Sequence, residues 1–222
     1  MPLGRRDRRH RARKDPAPAP STEPAAPATT SGPWDVVEAP EDGLERVDLG
    51  ALLIPVIGGY DLQVEVSPEG QVVSINLVGP ESAMQLGAFA APRSSGIWDE
   101  VRREILASLS SQGGTGTVQD GAFGTELSAL APVPGGHQRI RFIGIDGPRW
   151  MLRAVISGAG ATDAAKAAEL EDTLRRVVVN RGDEPMPVRD ALPLTLPREV
   201  AEQLAKQQGD AGPGPDGVQR PP

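Results

Sequence analysis

The sequence predicts an α+β fold: an antiparallel β-sheet laid down as two meanders, with two main helices packed on it. Three observations carry that prediction. Short segments between Leu49 and Ala91 alternate apolar with other residues and are separated by Gly- or Pro-containing turns, the pattern of neighbouring strands joined by short connections. From Ile97 to Gln112 the apolar period changes to about four, the spacing of a helix with one buried face. Strand-like alternation then resumes and gives way to a second helical segment from Thr162. Runs of strands broken by single helices suit α+β better than a parallel α/β sheet.

Each element has its own warrant. Leu49 to Ile57 (LGALLIPVI) and Asp61 to Val66 (DLQVEV) read as strands around a Gly58-Gly59 hairpin turn. After the Pro68-Glu69-Gly70 turn, Gln71 to Val78 sets Val73, Ile75 and Leu77 on one face. Ser82 to Ala91 opposes Met84, Leu86 and Ala88 to Gln85 and Gly87, completing the first meander. In the first helix Ile97, Val101, Ile105 and Leu109 form the apolar stripe, with Leu106 widening it. Ser94 or Ser95 is its expected cap, Asp99 and Glu100 suit its positive end, and Gly113-Gly114 stops it. Thr115 to Gln119, Phe123 to Ala131, Gln138 to Ile145 and Trp150 to Ile156 make the second meander. Its last turn is Asp146-Gly147-Pro148, where Asp can bond its own backbone, Gly permits positive φ and Pro fixes φ. The second helix carries Leu170, Leu174 and Val177 on one side and ends in Val177-Val178-Val179.

Outside this core the composition shifts. Residues 1–33 read as a disordered tail, basic at first and then Pro/Ala-rich; residues 34–48 as an acidic lead-in; residues 49–197 as one domain. Residues 198–222 read as a short helix over Arg198 to Gln208, then a disordered tail. The net charge of −7 conceals an asymmetry: Arg5, Arg6, Arg8, Arg9, Arg11, Arg13 and Lys14 stand against Asp7 alone. That end could meet a nucleic acid or an anionic membrane without sequence preference, since no aromatic residues are interleaved for base stacking. The acidic segment Trp34 to Asp48 is alternatively an intramolecular partner for it.

Several chemistries are excluded or disfavoured. With no cysteine there is no disulfide, thiolate nucleophile or zinc–thiolate site. No apolar run reaches the roughly 20 residues that span a bilayer, and no apolar stretch of a signal peptide follows the basic start, so a cytoplasmic protein is expected. His10 and His137 are the only histidines, too few for a His-based metal cluster, and no G-x-S-x-G elbow or Gly-rich phosphate loop occurs. Asp99, Glu100, Glu126, Asp146, Asp183 and Glu184 are available carboxylates, yet no spacing forces two of them together. Arg181-Gly182-Asp183 reads as the turn after the second helix, with Asp183 able to pair with Arg181 or Arg189. No catalytic residue, cofactor or metal is assigned.

The candidate binding residues are Arg93, Trp98, Arg149 and Trp150. Arg93 and Trp98 flank the start of the first helix, and Arg149 and Trp150 open a strand. Were the turn after Gly147 to lie at that helix terminus, amide groups and two guanidinium forks would converge on an anion. The competing reading is that the tryptophans cover the core edge and each arginine stacks on a ring or pairs with an acid.

Five blocks occur in order: ERVDLGALLIP (Glu45 to Pro55), FAAPRSSGIWDEVRREI (Phe89 to Ile105), FGTEL (Phe123 to Leu127), RFIGIDGPRWMLRAVISG (Arg141 to Gly158) and VVVNRGDEPMPVRDALPLTLP (Val177 to Pro197). Together they resemble the actinobacterial family known as domain of unknown function 3710. The resemblance implies an actinobacterial, cytoplasmic protein and brings no activity or catalytic residues. The element order is also similar to that of PsbP-like and Mog1-like proteins, folds that host binding and assembly roles. The expectation is therefore a non-catalytic binding or assembly module that takes a protein or small anionic ligand, with a basic tail for polyanionic surfaces. A nucleic-acid-associated accessory protein, and an enzyme with a dispersed Arg/carboxylate site between the Trp98 helix and the Trp150 strand, are the alternatives.

Overall fold

The structure, a computed structural model, describes residues 32–68 and 71–197. The N-terminal tail and the Arg198 to Gln208 helix lie outside the described residues. Seven strands form the main sheet: β4 (Asp61–Val66), β5 (Val72–Val78), β6 (Ser82–Ala90), β7 (Thr115–Gly121), β8 (Gly124–Val133), β9 (Gly136–Gly147) and β10 (Trp150–Gly158). Their order is β4-β5-β6-β10-β9-β8-β7, antiparallel throughout. The two meanders thus meet where β10 returns beside β6. The α+β architecture, its two helices and its antiparallel sheet are those expected from the sequence.

A smaller sheet lies alongside, ordered β1-β11-β3-β2, from β1 (Trp34–Asp35), β2 (Arg46–Asp48), β3 (Leu52–Pro55) and β11 (Val178–Val179). It corrects three local expectations. Leu52 to Pro55 does not pair with Asp61 to Val66 across Gly58-Gly59; it joins this second sheet. Leu52, Ile54 and Pro55 are all buried, so both sides of the strand are covered, whereas β4 is a half-exposed edge. The valines after the second helix are a strand and not its last turn, in keeping with their β-branched side chains. Two strands also arise within residues read as a lead-in: β1 pairs in parallel with β11, and β2 pairs with β3.

The two helices cover opposite faces of the main sheet. On one face Ile75, Met84, Leu86, Leu152, Ala154 and Ile156 pack with Leu170 and Leu174 of α2 (Ala164–Arg176) and with Leu52 and Ile54 of the small sheet. On the other, α1 (Trp98–Ser111) packs Ile97 and Trp98 on Met151, and Leu109 on Leu127 and Ala129. Alternation along β10 enforces the division: Trp150, Leu152 and Ala154 point one way, Met151 and Arg153 the other. Met151 and Leu127 place α1 over the β7–β10 half of its face; the side chains of β4 and β5 there, Gln63, Glu65, Ser74 and Asn76, are polar.

Candidate functional site

The β9–β10 turn does lie at the start of α1. Gly147 pairs with Trp150, so Pro148 and Arg149 form a two-residue connection, and Arg149 takes φ +64°. The positive φ expected at Gly147 thus falls on Arg149, in a conformation that favours Gly over a residue with a Cβ. The Arg149 carbonyl accepts a hydrogen bond from the amide of Ala91, two residues before Arg93. Asp146 reaches further: its carboxylate accepts from the amides of Ile97 at 2.8 Å and Trp98 at 3.3 Å. The expected Ser94 or Ser95 cap is therefore replaced by an acid from another strand. The anion at this helix terminus is the protein's own, and it meets both the dipole and the unpaired first-turn amides.

The two tryptophans do not share a pocket, because the sheet separates them. Trp98 is 5 % exposed on the α1 face and donates from Nε1 to the Thr125 carbonyl at 2.7 Å. Trp150 is 2 % exposed on the opposite face and donates from Nε1 to Asp35 at 2.8 Å. Each ring lies over a glycine of β9: a Cβ at Gly144 would run into Trp98, and one at Gly147 into Trp150. Arg102 stands 5.9 Å over Trp98. The arginines are brought to one end of the sheet. Arg93 is exposed, and Arg149 makes only long contacts, 3.4 Å to the Gly182 carbonyl and 3.9 Å to Asp183. Asp183 thus faces Arg149, while Arg189 instead pairs with Glu100 and Glu104 of α1. The cations Arg5, Arg6, Arg8, Arg9, Arg11, Arg13 and Lys14 lie outside the described residues.

Residues 32–203 match the family described as Protein of unknown function (DUF3710). The chain belongs to that family. No curated protein matches it. Among the described residues of this DUF3710 protein, no helix is long and apolar enough to cross a membrane, and no group of three acidic or histidine side chains could hold a metal ion.

Sequence reading missed one charged cluster. Glu126 of β8 is wholly buried and Arg141 of β9 is 8 % exposed. Arg141 donates from Nε to Glu126 at 2.6 Å and from Nη2 to Glu171 of α2 at 2.5 Å. Burial alone would lower the Arg141 pKa, but the two carboxylates reverse this and hold it above its ordinary value. Glu171 also lies 3.8 Å from Arg175, which stacks 5.0 Å over Phe123. Nothing in the local pattern announces this cluster, since its three members come from separate elements. Its geometry cross-links β8, β9 and α2, with both carboxylates engaged by one guanidinium; that is the work of an internal brace. A shallow depression of about 550 Å³, lined in part by Arg46, Asp48, Gly50, Asn180 and Thr195, lies by β2, apart from both tryptophans.

Proposed function

We propose that this DUF3710 protein is a non-catalytic binding or assembly module. Its contact point is the sheet end that carries Arg93 and Arg149, with Trp98 and Trp150 as rigid supports behind them. The observation that supports this most is Arg149: it keeps a left-handed backbone of φ +64°, and its guanidinium has only long contacts to Gly182 and Asp183. A residue that keeps such a conformation without gaining a close partner is a candidate for use by another molecule. Arg93, exposed two residues beyond the amide that bonds the Arg149 carbonyl, adds a second fork for a carboxylate-bearing protein surface or small anion. The basic residues Arg5 to Lys14 add salt-sensitive attachment to a polyanion, in the cytoplasm of an actinobacterial cell.

The test compares three full-length chains on host lysate at low and high salt: the natural one, an R93S/R149S variant, and one with the seven tail cations replaced by Ser. A partner kept at high salt by the natural and tail-neutral chains, and lost by R93S/R149S, supports the module. Retention that follows only the tail charge would replace it with an electrostatic tether.

A further inference from the structure

Arg153 stands apart from the other half-buried or buried arginines of the described residues. Of the others that are at least half-buried, Arg46, Arg102, Arg141, Arg175 and Arg189 pair with carboxylates, Arg181 bonds backbone carbonyls, and Arg149 has long contacts to Gly182 and Asp183. Arg153 is half-buried at the middle of β10, beside the junction of the two meanders, yet among the described residues it has no ion pair or hydrogen bond. Burial consequently pulls its pKa down with no carboxylate to offset it.

The surroundings hold the guanidinium in place without neutralising it. Directly opposite Arg153 are Gly144 on β9 and Gly87 on β6, so neither neighbour places a side chain beside it. The ring of Trp98 fills the space over Gly144. On the β6 side the guanidinium carbon lies 5.0 Å from the centre of the Phe89 ring. A guanidinium over an aromatic ring spends no N–H donor on it, and its planar fork matches a two-oxygen acceptor. Nearby, on the same sheet face, Gln85 and Asn76 both donate to the Ser74 hydroxyl, a neutral polar ladder. Of the acids on this side, Glu65 stands on β4 beside Ser74, and Glu100 and Glu104 of α1 are engaged by Arg189. A single unpaired cation suits a singly charged group better than a doubly charged phosphate.

We propose that Arg153, lying over Phe89 and flanked by Trp98, is a carboxylate-recognition site on the face of the sheet beside α1. The carboxylate is that of a free small acid or of a Glu or Asp side chain on a partner; the guanidinium reads the same chemistry in either case. The site rests on the reading of the domain as a binding module but uses residues distinct from Arg93 and Arg149.

The test titrates the full chain with succinate, with a hexaglutamate peptide and with sodium chloride as an ionic-strength control. The readouts are the Arg153 side-chain Nε resonance and the melting temperature. A shift of that resonance by either carboxylate probe and not by chloride is expected, with about tenfold or weaker binding in R153M and partial loss in R153K, whose ammonium cannot form the fork. Response to succinate identifies a free acid as sufficient; response to the peptide alone identifies a partner side chain. In carboxylate-free buffer R153M should melt at or above the natural chain, because an uncompensated half-buried cation has been removed. Lower melting of R153M with an unchanged carboxylate response would make Arg153 a packing residue and overturn the site, as would no resonance shift with either probe. A lysate partner that depends on R93S/R149S while the Arg153 resonance stays still would remove this site and leave the binding module standing.

Discussion

The Trp150 indole donates a 2.8 Å hydrogen bond to the Asp35 carboxylate, fastening the central strand of the main sheet to the N-terminal strand of the small one. Both groups are buried, and Asp35 also accepts from the Val37 amide at 3.1 Å. Replacing Asp35 with Ala strands a buried indole N–H, at a cost of about 1.5–3 kcal/mol. D35N keeps an acceptor and should lose less. Urea denaturation followed by tryptophan fluorescence checks both, and equal stability of D35A and the natural chain would refute a structural bond here.

Asp146 should behave as the cap of α1, although it lies 48 residues from Trp98 in the chain. D146A is expected to lose about 1 kcal/mol, with D146N retaining part of it. Hydrogen exchange gives the sharper signature: the amides of Ile97 and Trp98 should exchange faster in D146A, while those of α2, which is capped by its own Asp163, stay protected.

The Glu126–Arg141–Glu171 brace predicts non-additive mutations. R141M leaves Glu126 buried and uncompensated, and should cost roughly 3–5 kcal/mol. Adding E126Q to R141M should recover a substantial part of that loss, because the stranded charge is then gone. Strictly additive losses in the double-mutant cycle would mean that the two side chains act independently.

Asp42 supplies a pH dependence with a defined sign. The hydrogen bond from Arg46, followed by that from the Leu44 amide, pulls its pKa from 3.8 to about 2. Because the folded pKa is depressed, the stabilisation is full above 3.8 and is lost as pH falls through about 2. NMR titration of the Asp42 carboxyl carbon should report that midpoint, and R46M should return it towards 3.8. A midpoint unchanged by R46M would detach the shift from this pair.

Much of the fold was legible because it is written in local periodicity. Val73, Ile75 and Leu77 announce β5, and the four-residue spacing of Ile97, Val101, Ile105 and Leu109 announces α1. The Arg93/Arg149 end was legible in part, since the turn before Trp150 is signalled by Gly147-Pro148. The rest was not, because its causes lie across the chain. Local reasoning offered Ser94 or Ser95 as a cap because it sees only neighbours, whereas the acceptor came from β9. It grouped Trp98 with Trp150 as similar corners, and the pleat of one strand put their rings on opposite faces.

By itself, then, the sequence determined the strands, the helices and the exclusion of cysteine chemistry, since these depend on side-chain type and on periods of two and 3.6 residues. Only the tertiary structure decided that Leu52 to Pro55 leaves the meander for a second sheet, that Asp146 caps α1, and that Glu126, Arg141 and Glu171 converge. It also decided that Arg153 has no acid beside it among the described residues. The physical reason is common to all four. Burial and charge compensation depend on which distant groups share a volume, and that is set by layer packing and strand order, not by spacing along the chain.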